Sequence, residues 1–96
     1  MSATLLFSDA AAEQLAALKS SDRKKHKKVL KTLGLMESSV RHSGLHTHEF
    51  TSLRGPNNEK VFVAYVENRT PSAFRVFWYY GPGKDTLTIL AITPHP

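Results

Sequence analysis

The sequence predicts an α+β fold: two N-terminal helices, forming an antiparallel hairpin, packed on a four-stranded antiparallel sheet. Three observations predict it. Apolar residues recur at helical spacing as far as residue 34, they alternate two by two from residue 48 onward, and turn-rich stretches cut the second half into four runs. Such a sheet buries one face against the helices and leaves the other open.

The first helix is read from "FSDAAAEQLAALKSS", residues 7–21. Ser8 or Asp9 can cap it, and Ala11, Leu15 and Leu18 fall on one stripe. Ser20, Ser21 and Asp22 break the pattern and offer caps for the next element. The second helix, "DRKKHKKVLKTLG", carries His26, Val29, Leu30 and Leu33 on one side and lysines elsewhere, with Gly34 placed for a left-handed C-terminal cap. A connection this short implies antiparallel helices. An irregular connector, "LMESSVRHSGLH", leads to the strands "HEFTSL", "KVFVAYVEN", "AFRVFWYY" and "TLTILAIT", separated by "RGPNNE", "RTPS" and "GPGKD". In the last strand, alternation puts Leu87, Ile89 and Ala91 on one face and Thr88, Leu90 and Ile92 on the other. Thr93-Pro94 then stops the ladder and leaves His95 at the sheet's end.

The 96 residues suit one domain over 1–96, with 41% apolar and 22% charged residues, an ordinary balance for a globular chain. The absence of cysteine removes disulfides, thiol nucleophiles and thiolate metal sites, and fits a reducing compartment. No run has signal-peptide character, and none approaches the ~20 apolar residues of a membrane span, so the expected location is cytoplasmic. Asn68-Arg69-Thr70 matches a glycosylation acceptor that a chain without an export signal would not use. Thirteen Lys and Arg against eight Asp and Glu give a net charge of +5, which suits a polyanionic partner. Arg23, Lys24, Lys25, Lys27, Lys28 and Lys31 crowd into one short stretch; they either form a solvated face or attract phosphate or an acidic partner segment.

In "AFRVFWYY", alternation puts Phe74, Val76, Trp78 and Tyr80 on one face and Arg75, Phe77 and Tyr79 on the other. A guanidinium among flat rings suits nucleic acid, with charge for phosphate and rings for bases. The alternative is that Arg75 pairs with Glu67 across the sheet. His42, His46, His48 and Glu49 lie together in "RHSGLHTHEF". His46 and His48 have the spacing of an H-x-H metal pair, but surface histidines or acid–base groups fit the same pattern, and no metal site is assigned. "GPGKDT" is not a phosphate loop, because Trp78 stands where the first glycine is needed and Asp85 follows the Gly-Lys pair.

Two helices followed by "HEFTSLRG", "FRVFWYYG" and an apolar strand ending near a histidine resemble the RelE/ParE superfamily of bacterial type II toxins. The likeness spans nearly the whole chain. It rests on Leu53-Arg54-Gly55 as the Leu-x-Gly turn, Phe74-Arg75 as the aromatic-Arg pair, and His95 after the last strand. The resemblance implies a RelE-like fold and, in the nuclease branch, cleavage of mRNA on the ribosome by attack of the RNA's own 2′-hydroxyl. No metal or other cofactor is implied, and the partners are a cognate antitoxin and ribosome-bound mRNA. Arg75, helped by Arg54, would supply positive charge, and His95 would be acid or base. His48, or Glu49, would be its complement, and Tyr79 a stacking group. Lys24, Lys25, Lys28 and Lys31 would meet RNA phosphates. The strand "VFVAYV" lacks the alternating lysines of one nuclease branch, and "ENRTPSA" is longer than the tight turn common before the arginine in the family. A ParE-like inhibitor of DNA gyrase and an inactive nucleic-acid-binding relative therefore stand as alternatives.

Overall fold

The computed structural model describes residues 3–67 and 73–94. The chain forms β1 (Thr4–Phe7), α1 (Asp9–Ser21), α2 (Arg23–Ser38), β2 (His48–Arg54), β3 (Lys60–Tyr65), β4 (Phe74–Tyr80) and β5 (Thr86–Pro94), with a 3-10 turn at Ser43–Leu45 before β2. The two helices and the antiparallel run β2 to β5 match the expected architecture. The sheet has one strand more, in the order β1-β5-β4-β3-β2. The added strand, β1, pairs parallel to β5 with Leu5 opposite Leu87 and Phe7 opposite Ile89. Its partner lies at the other end of the chain, so no local alternation or hairpin signal announces it.

Ser8 ties this strand to the first helix. Its hydroxyl oxygen accepts from the Ala11 N–H at 3.0 Å as an N-cap, while its O–H donates to the Leu90 carbonyl at 2.8 Å. Asp22 alone joins the helices: its N–H closes α1 on the Leu18 carbonyl, and its carboxylate accepts from Lys25 N–H at 3.0 Å to open α2. Helix α2 does not stop at Gly34 but runs on to Ser38 with Ser39 as its cap. The reason is packing: Val29, Leu33 and Met36 are buried at helical spacing, and Met36 reaches the core only if the helix makes one more turn. Leu30, expected on the same stripe, is exposed.

Side chains separate onto the two faces of the sheet. Ala64, Val76, Trp78, Leu87, Ile89 and Ile92 meet the helices, and Val61, Val63 and Phe77 form a smaller cluster with Phe50 and Leu90 on the other side. The alternation expected for β4 holds. That of β5 does not, because Phe77 faces Ala91 while Trp78 faces Ile89, leaving Leu90 as an extra residue. This bulge shifts the pleat, so Ile92 turns to the helices and Ala91 to the opposite cluster. The loop "GPGKD" is the expected hairpin turn. Gly81 and Gly83 have φ of 99° and 90°, and Gly81 N–H closes the loop on the Thr86 carbonyl at 2.7 Å.

Candidate functional site

The face away from the helices carries a ring, a guanidinium and two imidazoles in contact. Tyr65 on β3 stands opposite Arg75 on β4. The Arg75 guanidinium carbon lies 3.8 Å from the Tyr65 ring centroid, a stacked cation–π contact. Its Nη1 donates to the Glu67 carbonyl at 2.7 Å and to the Phe74 carbonyl at 3.1 Å. Arg75 is only 8% exposed, and its Nε is buried with no partner among the described residues.

Glu67 does not pair with Arg75 through its carboxylate. That group accepts from Lys25 at 2.8 Å, Lys28 at 3.2 Å and the Phe74 N–H at 3.2 Å. Burial pushes the Glu67 carboxyl up, but the Lys25 hydrogen bond, the Phe74 N–H and Lys28 together outweigh it and leave its pKa below the ordinary value. Glu67 thus links the lysine helix to the open face, its carboxylate holding α2 and its carbonyl holding Arg75. Lys25 also lies 4.8 Å from the Phe74 ring centroid.

The histidines come from the connector. Leu45 is buried and anchors it, and His46 ends the 3-10 turn in the left-handed region with φ 50°. The His46 and His48 rings lie 5.4 and 5.8 Å from that of Tyr65. His48 Nδ1 is 3.1 Å from the His46 carbonyl oxygen. A carbonyl can only accept, so this contact assigns the proton to Nδ1 and leaves Nε2 of the neutral ring with a lone pair. His42 has the opposite tautomer. Its Nδ1 accepts from the Gly44 N–H at 3.0 Å, so its Nε2 carries the proton. Among the described residues no group of three or more His, Asp or Glu could hold a metal ion, and the H-x-H pair has no third ligand there.

Other expected site residues are spread out. Tyr79 shares the Arg75 face but is 6% exposed, next to Thr88 in register. Glu49 pairs with Phe62, and so belongs to the opposite face from Arg75. Arg54 lies at the far end of β2 beside Lys60, past an irregularity in the ladder. Lys25 and Lys28 are engaged by Glu67, whereas Lys24 and Lys31 are exposed on α2. His95 lies outside the described residues. Sequence reasoning passed over Tyr65, although it follows Val61 and Val63 in strict alternation, and pairing β3 with β4 would have set it against Arg75.

No family model matches the sequence, and no curated protein does. Solved structures do match in shape. A YoeB/ParE toxin from Agrobacterium tumefaciens superposes with a TM-score of 0.72 at 9% identity, covering 97% of this chain and 99% of that one. RelE in the archaeal RelE-RelB complex from Pyrococcus horikoshii gives 0.68 at 15% identity, over 98% of this chain and 96% of that one. The YoeB dimer from Staphylococcus aureus gives 0.66 at 15% identity, covering 100% of both chains. The chain has the RelE/ParE toxin fold. At these identities the likeness is one of shape, extending to the whole α+β layout.

Proposed function

We propose that the protein is the toxin of a type II toxin–antitoxin pair, acting in the cytoplasm as a ribosome-dependent mRNA endoribonuclease. The observation that carries this reading is the pairing of His48 with Arg75 on one ring. His48 has Nδ1 committed to a carbonyl and Nε2 left as an acceptor, and Arg75 is stacked on the Tyr65 ring that His48 touches edge-on. The fold, shared with RelE bound to RelB, supports a cognate antitoxin as partner.

In this reading His48 Nε2 takes the proton of the RNA 2′-hydroxyl, and that oxygen attacks the adjacent phosphorus. The bond to the 5′-oxygen breaks, leaving a 2′,3′-cyclic phosphate on one fragment, and the 5′-oxygen leaves with a proton supplied by an acid, the role proposed for His95. Arg75 stabilises the charge that gathers on the phosphate in the transition state. Tyr65 holds the guanidinium flat, which a lysine in its place would not allow. Arg54 and Glu49 take no part.

One observation favours the gyrase-inhibitor reading instead: Arg75 is nearly buried and its Nη1 is shared between two carbonyls, as befits a structural residue. Inducing the protein and its His48→Ala and Arg75→Ala variants, then mapping mRNA ends and plasmid supercoiling, separates the two. New cyclic-phosphate mRNA ends that vanish in both variants support the nuclease. Altered supercoiling with intact mRNA overturns it.

A further inference from the structure

Beside the Tyr65 site, the connector after α2 and the end of β4 enclose a hollow of about 420 Å³ lined by Val40, Arg41, His42, His46, Thr47 and Tyr80. Its size falls within the roughly 300–1,000 Å³ of small-ligand sites. No acid lines it. Arg41 is exposed and has no ion-pair partner among the described residues. Tyr80 is 51% exposed, while its ring is braced edge-on by Phe62 at 5.6 Å and Trp78 at 4.8 Å. An aromatic held rigid from behind and open in front is a platform for a flat ligand.

We infer that this hollow binds one nucleotide of single-stranded RNA, with its base on Tyr80 and its phosphate between Arg41 and His42. His42 supplies the donor: its Nδ1 is taken by the Gly44 N–H, so Nε2–H remains for an anionic oxygen. The absence of a side chain at residue 44 leaves room for that pose, since a Cβ there would sit 3.1 Å from His42 Nδ1 and push the ring by a few tenths of an ångström. Charge favours this hollow over its neighbour. The larger cleft that shares Val40, Arg41 and Tyr80 is also lined by Glu37 and Asp85, which repel phosphate. Tyr80 belongs to the helix-side face of β4, opposite that of Arg75 and Tyr65, and the connector before β2 supplies the rest of the lining. His46 stands at the corner, lining the hollow while its ring meets Tyr65. The subsite therefore takes a nucleotide flanking the one cleaved, and in that respect it rests on the nuclease reading.

The test is a fluorescence titration of a short uridine-rich RNA carrying one 2-aminopurine, with the whole chain in a His48→Ala background to keep the probe intact. The base's emission should be quenched on binding. Tyr80→Leu should weaken binding about tenfold or more, while Tyr80→Phe, which keeps the ring and its packing, should not. Arg41→Ala should lower the slope of log affinity against log salt by about 0.7. Thermal melts of each variant verify that the fold survives. Binding unchanged in Tyr80→Leu, an unchanged salt slope in Arg41→Ala, or no binding by the parent protein each overturns the subsite. Cleavage of ribosome-bound mRNA is measured in parallel with the unaltered chain. If cleavage is absent but Tyr80-dependent binding holds, the nuclease reading falls and the subsite stands. If cleavage is present and Tyr80 is indifferent, the subsite falls alone.

Discussion

The two faces of β4 are both buried, but by different means. On one side Val76 and Trp78 are sealed under the helices with Ile89, Ile92 and Met36. On the other, Arg75 and Phe77 are covered by the rings of Tyr65 and Phe50, with no helix over them. Each face holds one buried N–H without a partner among the described residues, Trp78 Nε1 and Arg75 Nε. Such a donor costs about 1–3 kcal/mol. On the helix side the cost is offset by burying an indole stacked on Phe62 at 5.2 Å. On the open side it falls on a guanidinium whose Nη1 is held by two carbonyls and whose plane is stacked on Tyr65. The helix-covered face is thus closed by apolar packing, and the open face holds a cation in place by stacking and carbonyl hydrogen bonds.

The sharpest way to break this division is to remove a group from each side. His48→Ala should lower the rate of mRNA cleavage by about 10²–10⁴-fold, with the melting temperature unchanged because the ring is exposed. A large loss of stability instead would make His48 a packing residue. Ile89→Ala, fully buried on the helix side, should behave in the opposite sense. It should cost about 2–5 kcal/mol in urea unfolding and leave the cleavage rate per folded molecule untouched.

How far this division is legible in the sequence depends on how far each signal travels along the chain. The alternation of "FRVFWYY" places Arg75 and Trp78 on opposite faces without any structure, because the strand's period is local. The pairing of β1 with β5 is not local. Four residues at one end find their partner some eighty residues later, and only the folded sheet brings them together. The bulge at Leu90 is hidden for another reason: the four apolar residues Ile89 to Ile92 read equally well in either phase, and the helix layer decides. At the site, the sequence supplied Arg75 and His48, but the tautomers that give His42 and His48 different chemistry depend on backbone groups of Gly44 and His46.

Glu67 joins the two faces, and its effect should be intermediate. Glu67→Gln removes charged hydrogen bonds from a largely buried group, for a loss of about 1–3 kcal/mol at neutral pH. Lys28 contributes the smaller share, because its side chain is 56% exposed and screened by solvent. The pH dependence has a definite sign. The folded pKa of Glu67 lies below its reference value of 4.5, so its contribution is fully present above that value. It is lost as pH falls through the lowered folded pKa. Urea midpoints of the parent and Glu67→Gln should therefore differ at neutral pH and converge in acid. A gap that widens on acidification would contradict the linkage drawn through Lys25.

The smallest effect is the cleanest in sign, and it concerns the helix layer. Gly34 has the sequence character of a left-handed cap, and there an alanine would be strained and destabilising. In the fold it lies inside α2, followed by the turn that delivers Met36 to the core. A Cβ at Gly34 would meet nothing within 4 Å, so alanine adds helix propensity without a clash. Gly34→Ala should raise stability by about 0.5–1 kcal/mol. Destabilisation would mean that α2 ends at Gly34, and Met36 would then lose the turn that places it against the sheet. Because Gly34 is on α2, across the sheet from the face of His48 and Arg75, and a Cβ there touches nothing, the cleavage rate should not move with it. A change in rate would show that the helix-covered face also sets the geometry of the open one.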